Sequence, residues 1–255
     1  MIRFAYKEDV NEIRSLWNTA FPEEPDFNDY FFDNIFDYSN TLVIFKDNRI
    51  VSMAQMMPYD LKGAGSVTYI YGAATDPKYR KQGLMSQLLK KSFEIDIEKG
   101  RAASILIPAN KPLFDFYKGL GYETCFYVSK EIYKAEGSTA EIKEADYKDI
   151  PKLMSLYKGD VVRNEEYWKT QLDMYKALGG KVFLYNNAYA VVSHKVEEIM
   201  YTDEGDKNVL LNSVCRFLGV NEVEITVKGE DIPFGMIKKY RGFDSDVLYM
   251  NLMYN

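Results

Sequence analysis

Histidine and cysteine are scarce in this sequence. Of its 255 residues one is a histidine, His194, and two are cysteines, Cys125 and Cys215, which stand far apart in the chain. A single histidine excludes a multi-histidine metal site, and two isolated cysteines form no metal-binding or redox motif. We therefore expect no bound metal ion, reduced thiols, and a general base that is not a histidine of the first half.

Long apolar runs and excess positive charge are also lacking. No apolar segment approaches the roughly 18 residues that cross a bilayer, and the first residues contain no apolar core of a signal peptide. The formal net charge is −6, so no overall positive field attracts nucleic acid or an anionic membrane. These absences predict a cytoplasmic protein without a nucleic-acid or membrane partner. Any polyanion that it binds must be held by a local site.

Hydrophobic residues are plentiful, at 47% of the sequence, and no tract is rich in proline, glycine or serine. Apolar periodicities up to residue 133 predict elements in the order β-α-α-β-β-β-α-β-α-β. This order predicts an α/β fold built around a mixed sheet. Its clearest elements are a hairpin (Thr41–Phe45 and Ile50–Gln55), a helix (Leu84–Glu98, with Leu84, Leu88, Phe93 and Ile97 facing inward) and a last strand (Tyr127–Tyr133).

The element order restarts after Glu136-Gly137-Ser138. Asp9 aligns with Asp149 and Val51 with Val191, the same separation of 140 residues in both cases. One register that holds across a helix and a hairpin indicates two copies of one structural unit. The sequence therefore predicts two tandem domains, 1–136 and 137–255.

A candidate anion site lies between a strand and a helix. The predicted strand 67–74 ends before Pro77, and Arg80-Lys81-Gln82-Gly83-Leu84-Met85 leads into the helix. The first N–H groups of a helix have no intrahelical partner and favour negative charge, and a glycine lets a ligand approach the backbone closely. Lys78 and Lys90 add positive charge, so a pyrophosphate suits this turn.

Two motifs in this half resemble those of the GNAT superfamily, the Gcn5-related N-acetyltransferases. Arg80-x-x-Gly83-x-Met85 resembles their pyrophosphate motif Gln/Arg-x-x-Gly-x-Gly/Ala, with Met85 in place of the small last residue. Residues 110–122 resemble their Asn-x-x-Ala-x-x-x-Tyr-x-x-x-Gly-Phe signature, matching at Asn110, Tyr117 and Gly121, with Tyr122 for Phe and Leu113 for Ala. The resemblance covers about residues 2–133 and implies an acyltransferase that uses acetyl-CoA as co-substrate.

The resemblance also implies roles for particular residues. An amine attacks the thioester directly, and Tyr117 serves as general acid for the leaving thiolate. A backbone amide near the end of the fourth strand polarises the thioester carbonyl, and Asn110 contacts the pantetheine arm. The carboxylates of a loop that lines the acceptor site in this fold would bind the substrate, a small-molecule amine. The expected cofactor-binding residues are Ala73, Ala74, Thr75, Arg80, Lys81, Gln82, Gly83, Leu84, Met85, Ser86 and Asn110, and the expected substrate-binding residues are Glu23, Glu24 and Asp26.

The second domain lacks these motifs. Asp203-Glu204-Gly205-Asp206 precedes its corresponding helix, and these carboxylates would repel phosphates. One active and one degenerate domain resemble the enhanced-intracellular-survival type acetyltransferases, apart from their third domain. Arg163, Tyr167 and Trp168 also look like residues of that family, and we expect the two aromatic residues in the core. His194 is expected at the surface or at an interface.

Two other readings stay open at this point. The protein could be a non-catalytic CoA-binding sensor or adaptor of the same fold, because Met85 departs from the motif and no general base is evident. A nucleotide-binding module is disfavoured, because the sequence contains neither Gly-x-x-x-x-Gly-Lys-Ser/Thr nor Gly-x-Gly-x-x-Gly.

Overall fold

The computed structural model describes residues 1–243 and 248–252. The chain divides into two compact units, Met1–Cys125 with Phe234–Asp246, and Phe126–Pro233 with Val247–Asn255. Each unit is therefore built from two segments of the chain, whereas the sequence predicted the continuous domains 1–136 and 137–255. The last residues of the second predicted domain, 253–255, lie outside the described part. The division into one active and one degenerate domain stays a prediction.

The first half of the chain supplies most elements of the first unit. They are β1 (Ile2–Phe4), α1 (Val10–Ala20), α2 (Pro25–Asn34), β2 (Thr41–Lys46), β3 (Arg49–Leu61), β4 (Gly65–Thr75), α3 (Leu84–Glu98), β5 (Ala103–Leu106) and α4 (Lys111–Lys118). The remaining elements, in chain order, are β6 (Glu123–Lys134), β7 (Lys143–Glu144), α5 (Ile150–Leu156), α6 (Glu165–Ala177), β8 (Lys181–Tyr185), β9 (Ala188–Val192), β10 (Val196–Tyr201), α7 (Glu204–Leu218), β11 (Glu222–Lys228) and β12 (Ile232–Lys239). This mixed α/β fold confirms the predicted fold class.

The sheet of the first unit has the strand order β1-β2-β3-β4-β5-β12. Its neighbours are antiparallel except for β4 and β5, which run parallel. The β2–β3 hairpin turns at Asp47 and Asn48, whose φ values of 52° and 58° are those of the tight hairpin turns that match strand twist. The predicted hairpin is therefore present, and β3 runs on past the predicted end at Gln55.

The core of the first unit holds α3 against the sheet. Leu84, Leu88 and Phe93 are buried, as the helical periodicity predicts, but Ile97 is 60% exposed. At about 100° per residue, Ile97 lies nine residues and half a turn away from Leu88, so it faces the solvent. The prediction that Ile97 faces inward was therefore wrong.

The strand that follows α4 does not complete the sheet of the first unit. From Phe126 onward β6 belongs to the second unit, where it pairs with β11 from Val128 opposite Lys228 to Lys134 opposite Glu222. In the first unit β12 takes the place beside β5, with Met236 opposite Leu106. The prediction that residues 127–133 form the last strand of the first unit was wrong, because pairing between distant segments decides which strand lies beside β5.

The sheet of the second unit has the order β6-β11-β10-β9-β8-β7. A fully buried ion pair lies in its core, where Arg163 donates to both carboxylate oxygens of Glu198 at 2.6 and 2.8 Å. The hydroxyls of Tyr189 and Tyr249 also donate to Glu198, each at 2.7 Å. Trp168 packs in this core with 1% of its surface exposed, and Tyr167 is likewise buried, as expected.

Candidate functional site

A bulge shapes the end of β4. Tyr71 pairs with Gln55 and Ala74 with Met53, so Gly72 and Ala73 together lie opposite a single residue of β3. Gly72 has φ +56°, and a Cβ atom there would lie 2.0 Å from Cζ3 of Trp17. Only glycine combines this backbone conformation with such close contact. The bulge therefore depends on the packing of Trp17 against the strand.

The parallel strands β4 and β5 separate just before this bulge. Their last paired residues are Tyr69 and Ile105, although β4 continues to Thr75. Among the described residues, the last part of β4 has no β5 partner on the side away from β3. Backbone donors on this side are thus free of the sheet ladder. The predicted carbonyl-binding residues Ala73, Ala74 and Thr75 lie on this stretch.

The loop after β4 is anchored before it reaches the anion site. The backbone N–H of Asp76 donates to Val51 O at 2.9 Å, and Arg49 pairs with the Asp76 carboxylate at 2.7 Å. Arg80 Nε then donates to Thr75 O at 3.1 Å. These contacts tie the start of the loop to β3 and to the end of β4.

Two residues of the loop adopt left-handed backbone conformations directly before α3. Lys81 has φ 61°, and Gly83, the N-cap of the helix, has φ 73° and ψ 11°. A left-handed residue other than glycine costs about 1–2 kcal/mol and persists where the surroundings impose it. Left-handed residues in such a turn bring successive N–H groups to one side, which makes an anion-binding concavity at the helix N-terminus.

Positive charge around this loop is largely uncompensated. Lys78, Lys81 and Lys90 are exposed and form no ion pair with any residue of the described part. Lys46 reaches the loop from the β2–β3 hairpin, where its Nζ donates to Gln82 Oε1 at 3.0 Å. Met85, the residue that departs from the motif, lies in the first turn of α3, is half-buried and packs against the core of the first unit.

Asn110 and Tyr117 lie at opposite ends of α4. Asn110 is the N-cap, and its Oδ1 accepts from Leu113 N at 3.3 Å, which is the ordinary role of asparagine at a helix start. Its amide nitrogen makes no hydrogen bond within the described ranges, so it is free for the predicted contact with pantetheine.

Tyr117 is 7% exposed and packs edge-on against Phe116 and Tyr122. Its hydroxyl has no hydrogen-bond partner among residues 1–243 and 248–252. Burial raises the pKa of Tyr117 from 10 to about 12, because the low-dielectric surroundings disfavour the phenolate. The side chain is therefore a neutral phenol throughout the physiological range, and its donor is unused.

The three carboxylates predicted to bind substrate flank the start of α2. Glu23 and Glu24 lie in the turn after α1, and Asp26 lies in the first turn of α2. All three are exposed, and none pairs with a cation of the described residues. The three carboxylates are neighbours in the sequence and lie on one short segment of the fold. The structure shows no contact that joins them to the anion loop.

The helix of the second unit that the predicted repeat aligns with α3 begins differently. The Asp203 carboxylate caps α7 by accepting from Asp206 N at 2.9 Å, and Glu204 and Asp206 stand in its first turn. Asp206 in turn accepts from Asn186 and from the backbone of Asn187. The Asp203 carboxylate thus accepts from a backbone N–H group at the start of α7, the kind of donor that an anion would use.

An open cleft of about 520 Å³ lies in the second unit, but its carboxylates and lysines mostly pair with one another, as Lys181 does with Glu144. Within the described ranges no three His, Cys, Asp or Glu residues are grouped to hold a metal, and no helix is long and apolar enough to cross a membrane. His194 is exposed, and both cysteines are buried.

Residues 1–125 match the family model described as an acetyltransferase (GNAT) domain. Over this stretch, just under half of the chain, the protein is similar to GNAT acetyltransferases. The matched stretch contains the strand bulge, the anion loop and Tyr117. The match agrees with the predicted family and with the predicted class of enzyme, an acetyltransferase. No curated protein matches the sequence.

Solved structures show the same fold over nearly the whole chain. A conserved protein from Enterococcus faecalis V583 has a TM-score of 0.75 at 18% identity, with 94% of this chain and 72% of that chain covered. A GCN5-related N-acetyltransferase from Anabaena variabilis ATCC 29413 has a TM-score of 0.73 at 14% identity, with 93% and 72% covered. Eis1 from Mycobacterium abscessus has a TM-score of 0.69 at 11% identity, with 94% and 73% covered. The likeness extends beyond the GNAT domain into the second unit.

Sequence reasoning missed two parts of the site. One is Gly72, whose only sequence signal is a glycine inside an otherwise continuous strand pattern, which is typical of a bulge. The other is the contribution of β12 and Tyr240 to the first unit, where the Tyr240 hydroxyl donates to the buried Asp96 at 3.0 Å. No local pattern in the sequence predicts that pairing.

Proposed function

We propose that the GNAT domain transfers an acetyl group from acetyl-CoA to a primary amine by direct attack, with Tyr117 assisting the leaving sulfur. The observation that carries this proposal is the strained turn at Lys81 and Gly83, flanked by unpaired cations at the N-terminus of α3. It lies directly after the strand end whose backbone is freed by the separation of β4 and β5. A pyrophosphate on the turn and a thioester along the freed strand edge fit this arrangement.

In this proposal each part of the co-substrate has its own donors. The backbone of Lys81–Ser86 binds the pyrophosphate, with Arg80, Lys78 and Lys90 supplying charge. A backbone N–H at Ala73, Ala74 or Thr75 stabilises the oxygen of the thioester as it becomes an oxyanion, which is a large catalytic contribution in acyl transfer. The Asn110 amide donates to the pantetheine arm.

The reaction proceeds by addition and elimination. The amine nitrogen bonds to the carbonyl carbon, the C–S bond then breaks, the sulfur gains a proton and the nitrogen loses one. A phenol of pKa about 12 that protonates a thiolate of pKa about 8.5 does so uphill, by roughly 5 kcal/mol. Tyr117 therefore acts as general acid in a single step, in which its hydroxyl gives a proton to the sulfur and its oxygen takes a proton from the substrate nitrogen.

Binding of the co-substrate can be tested by thermal unfolding with acetyl-CoA. A ligand that binds only the native state stabilises it by about 2.7 kcal/mol at one hundred times its dissociation constant. Gly83→Val is expected to abolish the acetyl-CoA shift. Gly100→Val is the matched control, because Gly100 has φ +68° just beyond the other end of α3, and a Cβ atom at either glycine meets nothing within 4 Å. Absence of any shift with millimolar acetyl-CoA in the wild-type protein contradicts the proposal.

Catalysis can be tested by following thiol release with a panel of amines. Tyr117→Phe is expected to lower kcat by roughly 10²–10⁴ while the acetyl-CoA shift is unchanged. A protein that binds CoA but acetylates no amine, with or without Tyr117, is instead the sensor or adaptor.

The acceptor is proposed to be a small cationic amine. The unpaired carboxylates of Glu23, Glu24 and Asp26 support this, as does the acidic composition of the chain. Replacing the three by their amides is expected to raise KM for diamines more than for neutral amines. Equal effects on both kinds of amine contradict a charge role. We extend the proposal to a tandem arrangement in which the second unit binds no CoA. Cytoplasmic location stays a prediction.

A further inference from the structure

We propose that Lys238, on strand β12, is a positioning residue for Tyr117. The inference rests on the proposed function of Tyr117 as the group that serves the leaving sulfur. Lys238 and Tyr117 both belong to the first unit, although nearly half of the chain's length separates them in the sequence. Lys238 Nζ donates to Leu120 O at 2.9 Å, three residues after Tyr117.

The contact lies where α4 ends. The carbonyl of Tyr117 accepts from Leu120 N at 2.9 Å and from Tyr122 N at 3.2 Å, which closes the last turn of the helix. Carbonyl oxygens at a helix C-terminus carry partial negative charge and favour a cation. With only eight residues, α4 has few bonds of its own to hold its orientation. The Lys238 ammonium is therefore well placed to fix the turn that holds Tyr117.

Gly121 leaves room for the ammonium group. It has φ +87°, and a Cβ atom there would lie 2.6 Å from Lys238 Nζ. The glycine of the sequence motif thus has two structural reasons, a left-handed turn and the close approach of Lys238.

A chain of aromatic rings joins the ammonium to Tyr117 by a second route. Lys238 Nζ lies 4.9 Å from the centre of the Phe93 ring, a cation–π distance. The Phe93 ring packs against Tyr122 at 5.8 Å, and Tyr122 packs against Tyr117 at 5.7 Å. The Tyr122 hydroxyl is fixed by a 2.7 Å hydrogen bond with Ser104. Displacement of the ammonium would therefore release both the turn and the rings that pack against the catalytic phenol.

The position of Lys238 does not depend on the contact with Leu120. Strand pairing sets Lys238 opposite Ser104, and beyond it Tyr240 donates to Asp96 and Arg241 donates to Ala64 O at 2.7 Å. Lys238 is half-buried and forms no ion pair with the described residues, so its charge acts on Leu120 O and on the Phe93 ring. Removal of the ammonium should leave β12 in place.

A double-mutant cycle between Lys238→Met and Tyr117→Phe tests the inference. Lys238→Met is expected to lower kcat for acetyl transfer about tenfold, with the acetyl-CoA dissociation constant changed less than twofold. In the Tyr117→Phe background the same change should have no further effect on kcat, because the group that it positions is gone. Lys239→Met, the neighbouring residue on β12, is the matched control and should leave kcat unchanged.

The outcomes separate this inference from the proposed function. If Tyr117→Phe does not lower kcat, the role of Tyr117 itself fails. If Tyr117→Phe lowers kcat but Lys238→Met does not, or lowers it equally in both backgrounds, the positioning role is overturned. Should Lys238→Met unfold, Lys238→Arg keeps the cation and should retain most of the kcat, and an arginine variant that folds yet loses tenfold contradicts the inference.

Discussion

Gly72 offers a direct test of how packing controls the strand end of the site. In Gly72→Ala the new Cβ atom meets three atoms of the Trp17 ring at 2.0, 2.6 and 2.9 Å. Trp17 has little freedom to move, because it is 2% exposed, stacks on Phe31 at 4.8 Å and donates to Asn28 Oδ1 at 2.7 Å. The substitution must therefore displace a tightly held ring or straighten the bulge.

The expected cost has two parts. Alanine in the left-handed region costs about 1–2 kcal/mol, and overpacking of a buried site costs about 1–3 kcal/mol more. Gly72→Ala should thus lower the free energy of unfolding by roughly 2–5 kcal/mol, or Tm by roughly 5–15 °C for a chain of this size. Gly63→Ala is the matched control, because Gly63 has φ +75° and open space around the position of a Cβ atom. It should show only the backbone part.

Urea unfolding measures both variants, and a Trp17→Phe background isolates the contact. Phenylalanine lacks the distal ring atoms that the new methyl group meets, so Gly72→Ala should cost no more there than Gly63→Ala costs in the wild type. The reasoning is refuted if the two glycine variants are equally stable in the wild-type background. Because the bulge sets the direction of Ala73–Thr75, kcat for acetyl transfer should also fall in Gly72→Ala and not in Gly63→Ala.

Three further predictions concern stability. The Arg3 guanidinium beside Asp9 lowers the pKa of that carboxyl below 3.8, so the ionised pair stabilises the protein above about pH 4 and this contribution is lost on acidification. In urea titrations the stability difference between wild type and Asp9→Asn should therefore shrink between pH 6 and pH 3, and a constant difference contradicts this prediction. Asp203→Ala removes the cap of α7 and should cost about 1 kcal/mol by the same assay, whereas no loss means that water replaces the cap. The isolated fragment 1–136 lacks β12 and exposes the edge of β5, so it should unfold at a lower temperature than the full chain. An unchanged Tm contradicts the finding that β12 completes the sheet beside β5.

Local patterns predict much of the first unit. The helix 84–98 and the hairpin follow from periodicity and turn residues, and both are present. The helix has the predicted bounds, whereas the second strand of the hairpin runs on to Leu61. The anion loop follows from a strand, a glycine and a helix start, because these three alone make a helix N-terminus accessible. Ile97 shows the limit of such patterns, since the exact face of a helix is decided by what packs against it.

The sequence by itself determined the kind of chemistry, because the spacing from Arg80 to Gly83 and from Asn110 to Tyr117 is a property of contiguous residues. Only the tertiary structure decided which strand completes the sheet beside β5, since the choice between β6 and β12 rests on pairing between distant segments. The same holds for Trp17 against Gly72 and for Lys238 against Leu120. These contacts join residues far apart in the chain, so their energies depend on the assembled fold and leave no periodic trace in the sequence.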